Sequence, residues 1–116
     1  MHNFREMKIW KDAIQMSKKI YTLCESFPVS EKFGLISQIQ RASVSIAANI
    51  AEGAGRGTNT DFKRFLDMSI ASAYELETLL TITKEIGYIN ISQFELIVND
   101  LQCIQKMIFN FKRQLN

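Results

Sequence analysis

Apolar residues recur along the chain at steps of three and four, in four separate runs. The most regular is Phe94, Ile97, Leu101, Ile104, Ile108, Phe111 and Leu115, an unbroken 3-4-3-4-3-4 spacing that predicts a helix with a coiled-coil-like seam. A second run joins Ile36, Ile39, Ser43, Ile46 and Ile50. A third joins Phe62, Phe65/Leu66, Ser69, Ala73, Leu76 and Leu80. The earliest joins Trp10, Ala13/Ile14, Ser17, Ile20/Tyr21 and Cys24. Each places its apolar positions on one side of a helix. No segment alternates with the period of two that a half-buried strand requires.

Punctuation sets the limits of these helices. Phe27-Pro28 stops the first, because proline lacks the backbone donor and fixes its own φ. Ser30 offers an N-cap for the second, with Glu31 in the first turn, where the helix dipole favours an acid. Gly53, Gly55 and Gly57 end it. Thr58 with Asp61, or Asn59 alone, caps the third, which stops at Gly87. Ser92-Gln93-Phe94-Glu95 reads as a capping box for the fourth. The predicted helices span about 7–25, 31–54, 60–86 and 93–115 of a single domain, residues 1–116. The second would be roughly 37 Å long at 1.5 Å per residue. Short connections favour an antiparallel up-down-up-down four-helix bundle, all-α in class.

The second helix carries more than its core stripe. Gln38, Arg41, Ser45, Asn49, Glu52 and Arg56 recur at the same helical steps as a polar line. Small residues (Ala42, Ala47, Ala48, Ala51) lie between the two lines and admit close neighbours on more than one side. A solvated face usually carries Lys and Glu, so this mixture of amides, hydroxyls and single charges suits contact with another protein surface. The glycine-rich corner also fixes a register, with the second and third helices facing each other where residue numbers sum to about 115 or 116. Arg41 is then expected opposite Glu75, Asn49 opposite Leu66, and Glu52 near Lys63 or Arg64. Arg41–Glu75 and Glu52–Arg64 (or Lys63) are expected as ion pairs within or between subunits.

Charge and chemistry narrow the functional classes. Fourteen basic and twelve acidic residues leave a net charge of +2, too little to argue nucleic-acid binding from totals. Lys8, Lys11, Lys18 and Lys19 give the first helix a basic outer side, read first as a solvated face. The sole histidine is His2, expected in a frayed terminus. A carboxylate-bridged metal site with Glu-x-x-His pairs, an Arg-His nuclease pair and a Ser-His-Asp or Cys-His centre all need a histidine in the helices. Glu75 and Glu77 point away from each other. The chain is therefore expected to be non-catalytic, with no cofactor and no metal. Cys24 and Cys103 occupy apolar helix positions and are expected as reduced, buried thiols. The corner Gly53-Ala54-Gly55-Arg56-Gly57 reads as a tight helix–helix turn, with a phosphate contact through Arg56, Lys63 and Arg64 as the alternative. Trp10, Phe62, Phe65, Phe94, Phe109 and Phe111 fall mostly on core stripes. No apolar run approaches the ~18 residues of a membrane span. The N-terminal stretch lacks a signal-peptide apolar region, so a cytoplasmic location is expected.

Arg41-Ala42-Ser43-Val44-Ser45-Ile46-Ala47-Ala48-Asn49-Ile50-Ala51-Glu52-Gly53, followed by Gly55-Arg56-Gly57, resembles the 23S rRNA intervening-sequence proteins. Phe65-Leu66, the run Glu75-Leu76-Glu77-Thr78 and the turn Gly87-Tyr88 match as well. The resemblance extends from about Ile9 to Phe111. It implies a small bacterial four-helix bundle with no defined activity. It also implies kinship with the accessory protein of diversity-generating retroelements, a basic pentameric ring that works with a reverse transcriptase and nucleic acid. A homopentamer follows by that analogy, with Gln38, Arg41, Ser45, Asn49, Glu52, Gly53, Arg56 and Glu75 as subunit-interface or structural-signature positions. Many members carry two basic residues before the alanine, whereas Gln40 precedes Arg41 here.

The expected function is thus a non-catalytic, self-assembling helical module. RNA or DNA would be contacted through Lys11, Lys18, Lys19, Arg56, Lys63 and Arg64. The alternative is a protein-binding adaptor for a polymerase or ribosomal component. No membrane partner is expected.

Overall fold

A computed structural model describes residues 2–116. Four α-helices form the molecule: α1 (Lys8–Cys24), α2 (Leu35–Ala54), α3 (Asn59–Glu85) and α4 (Ile91–Gln114). Short 3-10 turns at Phe4–Glu6 and Val29–Glu31 precede α1 and α2. Each helix packs on its sequence neighbours, and α4 closes against α1. The diagonal pairs make no close backbone approach among the described residues.

Side-chain contacts fix the directions. Ser45 meets Ser72 and Ser69 meets Ile46 across α2 and α3. Glu77 meets Gln105 and Asp67 meets Lys112 across α3 and α4. Lys19 meets Asp100 across α1 and α4, near whose other end His2 lies against Phe111. In each pair one number rises as the other falls, so α1, α2, α3 and α4 run up, down, up, down. The α2–α3 register agrees with the sequence expectation.

Helix starts differ from the expectation in two places. The second helix does not begin near Ser30. Pro28 leads into the 3-10 turn, Gly34 takes φ −111° and ψ −113°, and α2 starts only at Leu35. Glu31 is not in its first turn but caps it from outside, Oε1 accepting from the Leu35 amide at 3.4 Å. The α4 capping box uses Asn90, not Ser92. Asn90 Oδ1 accepts from the Gln93 amide at 2.8 Å, and Gln93 Oε1 accepts from the Asn90 amide at 2.9 Å. Thr58 caps α3 as expected, Oγ1 accepting from the Asp61 amide.

The α3–α4 corner turns on Gly87 at φ +86°, in the left-handed region that glycine enters without steric cost. The Tyr88 amide donates to the Thr83 carbonyl and the Gly87 amide to that of Lys84, which satisfies the last carbonyls of α3 in a Schellman closure. Tyr88 then donates its hydroxyl to Glu31 Oε2 at 2.7 Å. That bond holds the phenol above its ordinary pKa and ties this corner to the approach to α2.

The core follows the four stripes, with one rotation. In α1 the buried positions are Ile9, Ala13, Met16, Ile20 and Cys24, while Ile14 and Tyr21 are exposed and Trp10 and Ser17 half-buried. The expected stripe runs through Trp10 and Ser17; the core line instead passes through Ile9 and Met16, sharing Ala13, Ile20 and Cys24 with it. Ser17 is used differently: its hydroxyl donates to the Ser43 carbonyl on α2 at 3.1 Å. Buried Ser69 likewise donates to the Ile46 carbonyl at 2.8 Å. His2 is not free but packs its ring 5.0 Å from that of Phe62. Cys24 is buried and Cys103 is exposed, so the expectation of two buried thiols holds only for the first. Burial pushes the Cys24 thiol up to about 11, keeping it protonated and poorly nucleophilic at neutral pH.

Gly53 sits at the tightest point of the bundle. A Cβ there would lie 2.7 Å from Phe62 Cδ1 and 2.8 Å from Phe65 Cβ, and Phe65 Cβ is fixed to the α3 backbone. A helical Gly→Ala change is by itself favourable by about 1 kcal/mol, so any loss at this position is a packing loss. Gly53→Ala is expected to lower unfolding free energy by about 1–3 kcal/mol through overpacking. Gly57→Ala, whose Cβ meets nothing within 4 Å, is expected to stay within about 0.5 kcal/mol. Urea denaturation measures both, and equal midpoints would remove the steric role of Gly53.

Candidate functional site

The polar line on α2 divides into two parts. Ser45 and Asn49 are half-buried at the α2–α3 seam. Ser45 Oγ and Ser72 Oγ are hydrogen-bonded at 2.8 Å, and Asn49 Nδ2 donates to the Ser45 carbonyl and hydroxyl, both at 2.9 Å. Part of this line is therefore satisfied within the chain, the Ser45–Ser72 bond joining α2 to α3 and the Asn49 bonds staying within α2. Gln38, Arg41 and Glu52 are exposed on α2, Arg56 is exposed just past its C-terminal end, and Glu75 is exposed on α3. Among the described residues, neither expected ion pair forms within the chain. Arg64 instead meets Asp61 on its own helix at 3.2 Å.

At the glycine corner two of the sequence-selected cations come together. Arg56 places its guanidinium 4.4 Å from the Phe65 ring centroid, and Arg64 lies 4.8 Å from the same centroid. Lys63 adjoins Arg64 in sequence. One ring thus holds two guanidinium groups by cation–π attraction, of which only Arg64 has a carboxylate beside it among the described residues. The α1 lysines are arranged differently. Lys19 is paired with Asp100 at 2.7 Å, Lys11 approaches Glu6 at 4.0 Å, and Lys8 pairs with Asp12. The basic side of α1 is largely matched by acids, and Lys18 stands apart from Arg56, Lys63 and Arg64 on the α1–α2 edge.

The sequence reading did not single out two surface grooves. One runs between α1 and α2, bordered by Trp10, Ile14, Tyr21 and Val44, with Ala47 and Ala48 on its α2 side. The other runs between α3 and α4, where Tyr74 and Phe109 stand 59% and 51% exposed beside Ile70, Thr78 and Gln105. Phe109 is one of the aromatics expected to fall mostly on core stripes. It lies one position past Ile108, whose side chain takes the core place, and so projects outward. Ile14, Tyr21, Val44 and Tyr74 are each one step off a core line, which was the available signal.

With this architecture established, comparison with known proteins is decisive. The model of the 23S rRNA-intervening sequence protein family matches residues 5–110. The chain belongs to that family. No curated protein matches the chain. A solved structure of a protein of unknown function from the S23 ribosomal protein family of Bacteroides thetaiotaomicron is similar, with 29% identity and a TM-score of 0.83. The alignment covers 91% of this chain and 99% of that one. The stretch that carries the family resemblance contains Ser45, bonded to Ser72 on α3, and Gly53, packed against Phe62 and Phe65, so part of that signature is accounted for by α2–α3 packing. No helix is long and apolar enough to cross a membrane among the described residues.

Asn49→Ala removes two hydrogen bonds from a half-buried position. It is expected to cost about 1 kcal/mol of stability, read as a lower urea midpoint, and an unchanged midpoint would mean that Asn49 is not a structural residue.

Proposed function

We propose that this protein is a non-catalytic, self-associating helical bundle whose subunits meet through faces that a monomer leaves uncovered. The observation carrying this reading is the pair of grooves on opposite edges, with Tyr21 and Val44 on one and Tyr74 and Phe109 on the other, all between 46% and 59% exposed. Grooves rimmed by large apolar side chains are a mark of interaction surfaces. Five subunits is the number the family resemblance suggests.

The expected result is a light-scattering mass that is a multiple of 13.3 kDa and holds on dilution through the micromolar range. A mass of one chain throughout would overturn the reading. The grooves would then be open to another protein, as in the adaptor reading.

Nucleic-acid contact is a second reading, favoured by the Arg56 and Arg64 guanidinium groups on Phe65. Exposed guanidinium groups held in fixed positions suit phosphate oxygens. Binding of single-stranded RNA is expected to weaken with salt by about 0.7 log units per contacted phosphate for each log unit of salt. Arg56→Gln combined with Arg64→Gln is expected to flatten that slope by about one to two contacts' worth. A slope identical in the variant, measured by fluorescence anisotropy, would remove this corner from any RNA contact.

A further inference from the structure

The end of the bundle away from the glycine corner leaves large apolar side chains in water. Val29 and Phe33, in the connection before α2, are 85% and 89% exposed, and Ile86 and Ile91, on either side of the α3–α4 turn, are 51% and 66% exposed. The Tyr88–Glu31 hydrogen bond holds these two connections together at 2.7 Å. Val29 and Phe33 are each two residues from Glu31, Ile86 is two from Tyr88 and Ile91 three. Two residues reach at most about 7 Å and three about 11 Å, so the four side chains surround one short bond as a single patch. None of them borders either lateral groove. A cluster of this kind is the mark of an interaction surface.

Charge selects the occupant. The segments that carry the patch, residues 25–33 and 84–96, hold the carboxylates Glu25, Glu31, Glu85 and Glu95 against the ammonium groups of Lys32 and Lys84. Both lysines are already turned onto rings of this chain, Lys32 Nζ lying 5.4 Å from the Phe33 centroid and Lys84 Nζ 4.5 Å from that of Phe94. Among the described residues, none of the four carboxylates takes part in an ion pair. We propose that this end docks a cationic amphipathic segment of another protein. Its apolar face covers Val29, Phe33, Ile86 and Ile91, and its lysines or arginines meet Glu25, Glu85 and Glu95. Carboxylates in excess repel nucleic-acid phosphates and anionic lipid headgroups. A second copy meeting the same end would bring the same carboxylates. The opposite end of a second copy would bring Arg56 and Arg64 with Phe65 buried beneath them, setting charge rather than apolar surface on Phe33. The proposal does not depend on association through the grooves.

The probe is a fluorescein-labelled peptide of leucine and lysine patterned as an amphipathic helix, with a leucine and glutamate peptide of the same pattern for comparison. Fluorescence anisotropy with the full chain is expected to show saturable binding of the lysine peptide, at least about tenfold tighter than of the glutamate peptide. Phe33→Ser combined with Ile86→Ser is expected to weaken binding at least about tenfold. Glu85→Gln combined with Glu95→Gln is expected to weaken it about threefold and to flatten its salt dependence. All four positions are exposed, so circular dichroism spectra and thermal midpoints are expected to match the wild type. Val29→Ser with Ile91→Ser provides a second pair, should the first lose its fold. Tyr74→Ser with Phe109→Ser, on the α3–α4 groove, is expected to leave the affinity unchanged.

Absence of saturable binding would overturn the proposal, as would equal affinity for the two peptides or undiminished binding by the folded Phe33→Ser/Ile86→Ser variant. Two further results would reassign the patch and overturn the proposal as well. Cosedimentation with phosphatidylcholine vesicles that is lost in that variant, without peptide binding, would give the patch to a bilayer. A light-scattering mass that falls in that variant would give it to a second copy of the chain.

Discussion

The close approach of α2 and α3 at Gly53 is the constraint on which the rest of the bundle depends. A backbone with no Cβ at that position lets Phe62 and Phe65 lie directly against α2. The small residues above it, Ala42, Ser45, Ser69, Ser72 and Ala73, continue the tight seam. Two helices this close bring hydroxyls within reach of the opposite partner, and Ser69 donates across the seam to the Ile46 carbonyl. Dense packing of backbone against side chain has no slack for added volume, so the seam also sets the register of everything attached to it. Phe62 in turn supports His2 and Phe111 at that end, while Glu31 and Tyr88 tie the far end.

Tightness in the middle has a consequence at the edges. The α2–α3 pair is the most extensively packed in the molecule, and α1 and α4 are added on its two sides with the weakest helix contact between them. Helices that lean on a narrow central pair leave clefts along the α1–α2 and α3–α4 lines. Those clefts are bordered by Tyr21, Val44, Tyr74 and Phe109, residues too large and too apolar to be favoured on a purely solvated surface. The close seam and the two grooves are therefore parts of one arrangement, in which small residues hold the centre and large ones border the edges.

Much of this was legible in the sequence, for identifiable reasons. The α4 seam from Ile97 to Ile108 emerged intact because one heptad line dominates that segment. The α2–α3 register emerged because a glycine-rich corner with Thr58 as cap leaves little freedom. The α1 core line was misassigned because Ala13 and Ile20 belong equally to lines through Ile9 and Trp10, and only the neighbours' positions decide between them. The α2 start was misplaced because Ser30 and Glu31 form a plausible cap, whereas Gly34 interrupts the turn that would follow. Of the candidate site, the cluster of Arg56 and Arg64 was recognised from proximity in sequence, but their sharing of Phe65 depends on packing across the corner. Asn49 and Ser45 were singled out as subunit-interface or structural-signature positions, and the geometry gives them hydrogen bonds inside the chain.

Native-state hydrogen exchange tests the central claim, that the α2–α3 seam is the most stable part of the molecule. Amides in the most stable unit exchange only through global opening. Amides from Ile46 to Ala54 and from Leu66 to Leu76 are expected to share one opening free energy equal to that of global unfolding, with α1 and α4 amides exchanging through smaller openings. Protection greatest in α1 or α4, with α2 and α3 exchanging first, would contradict the account.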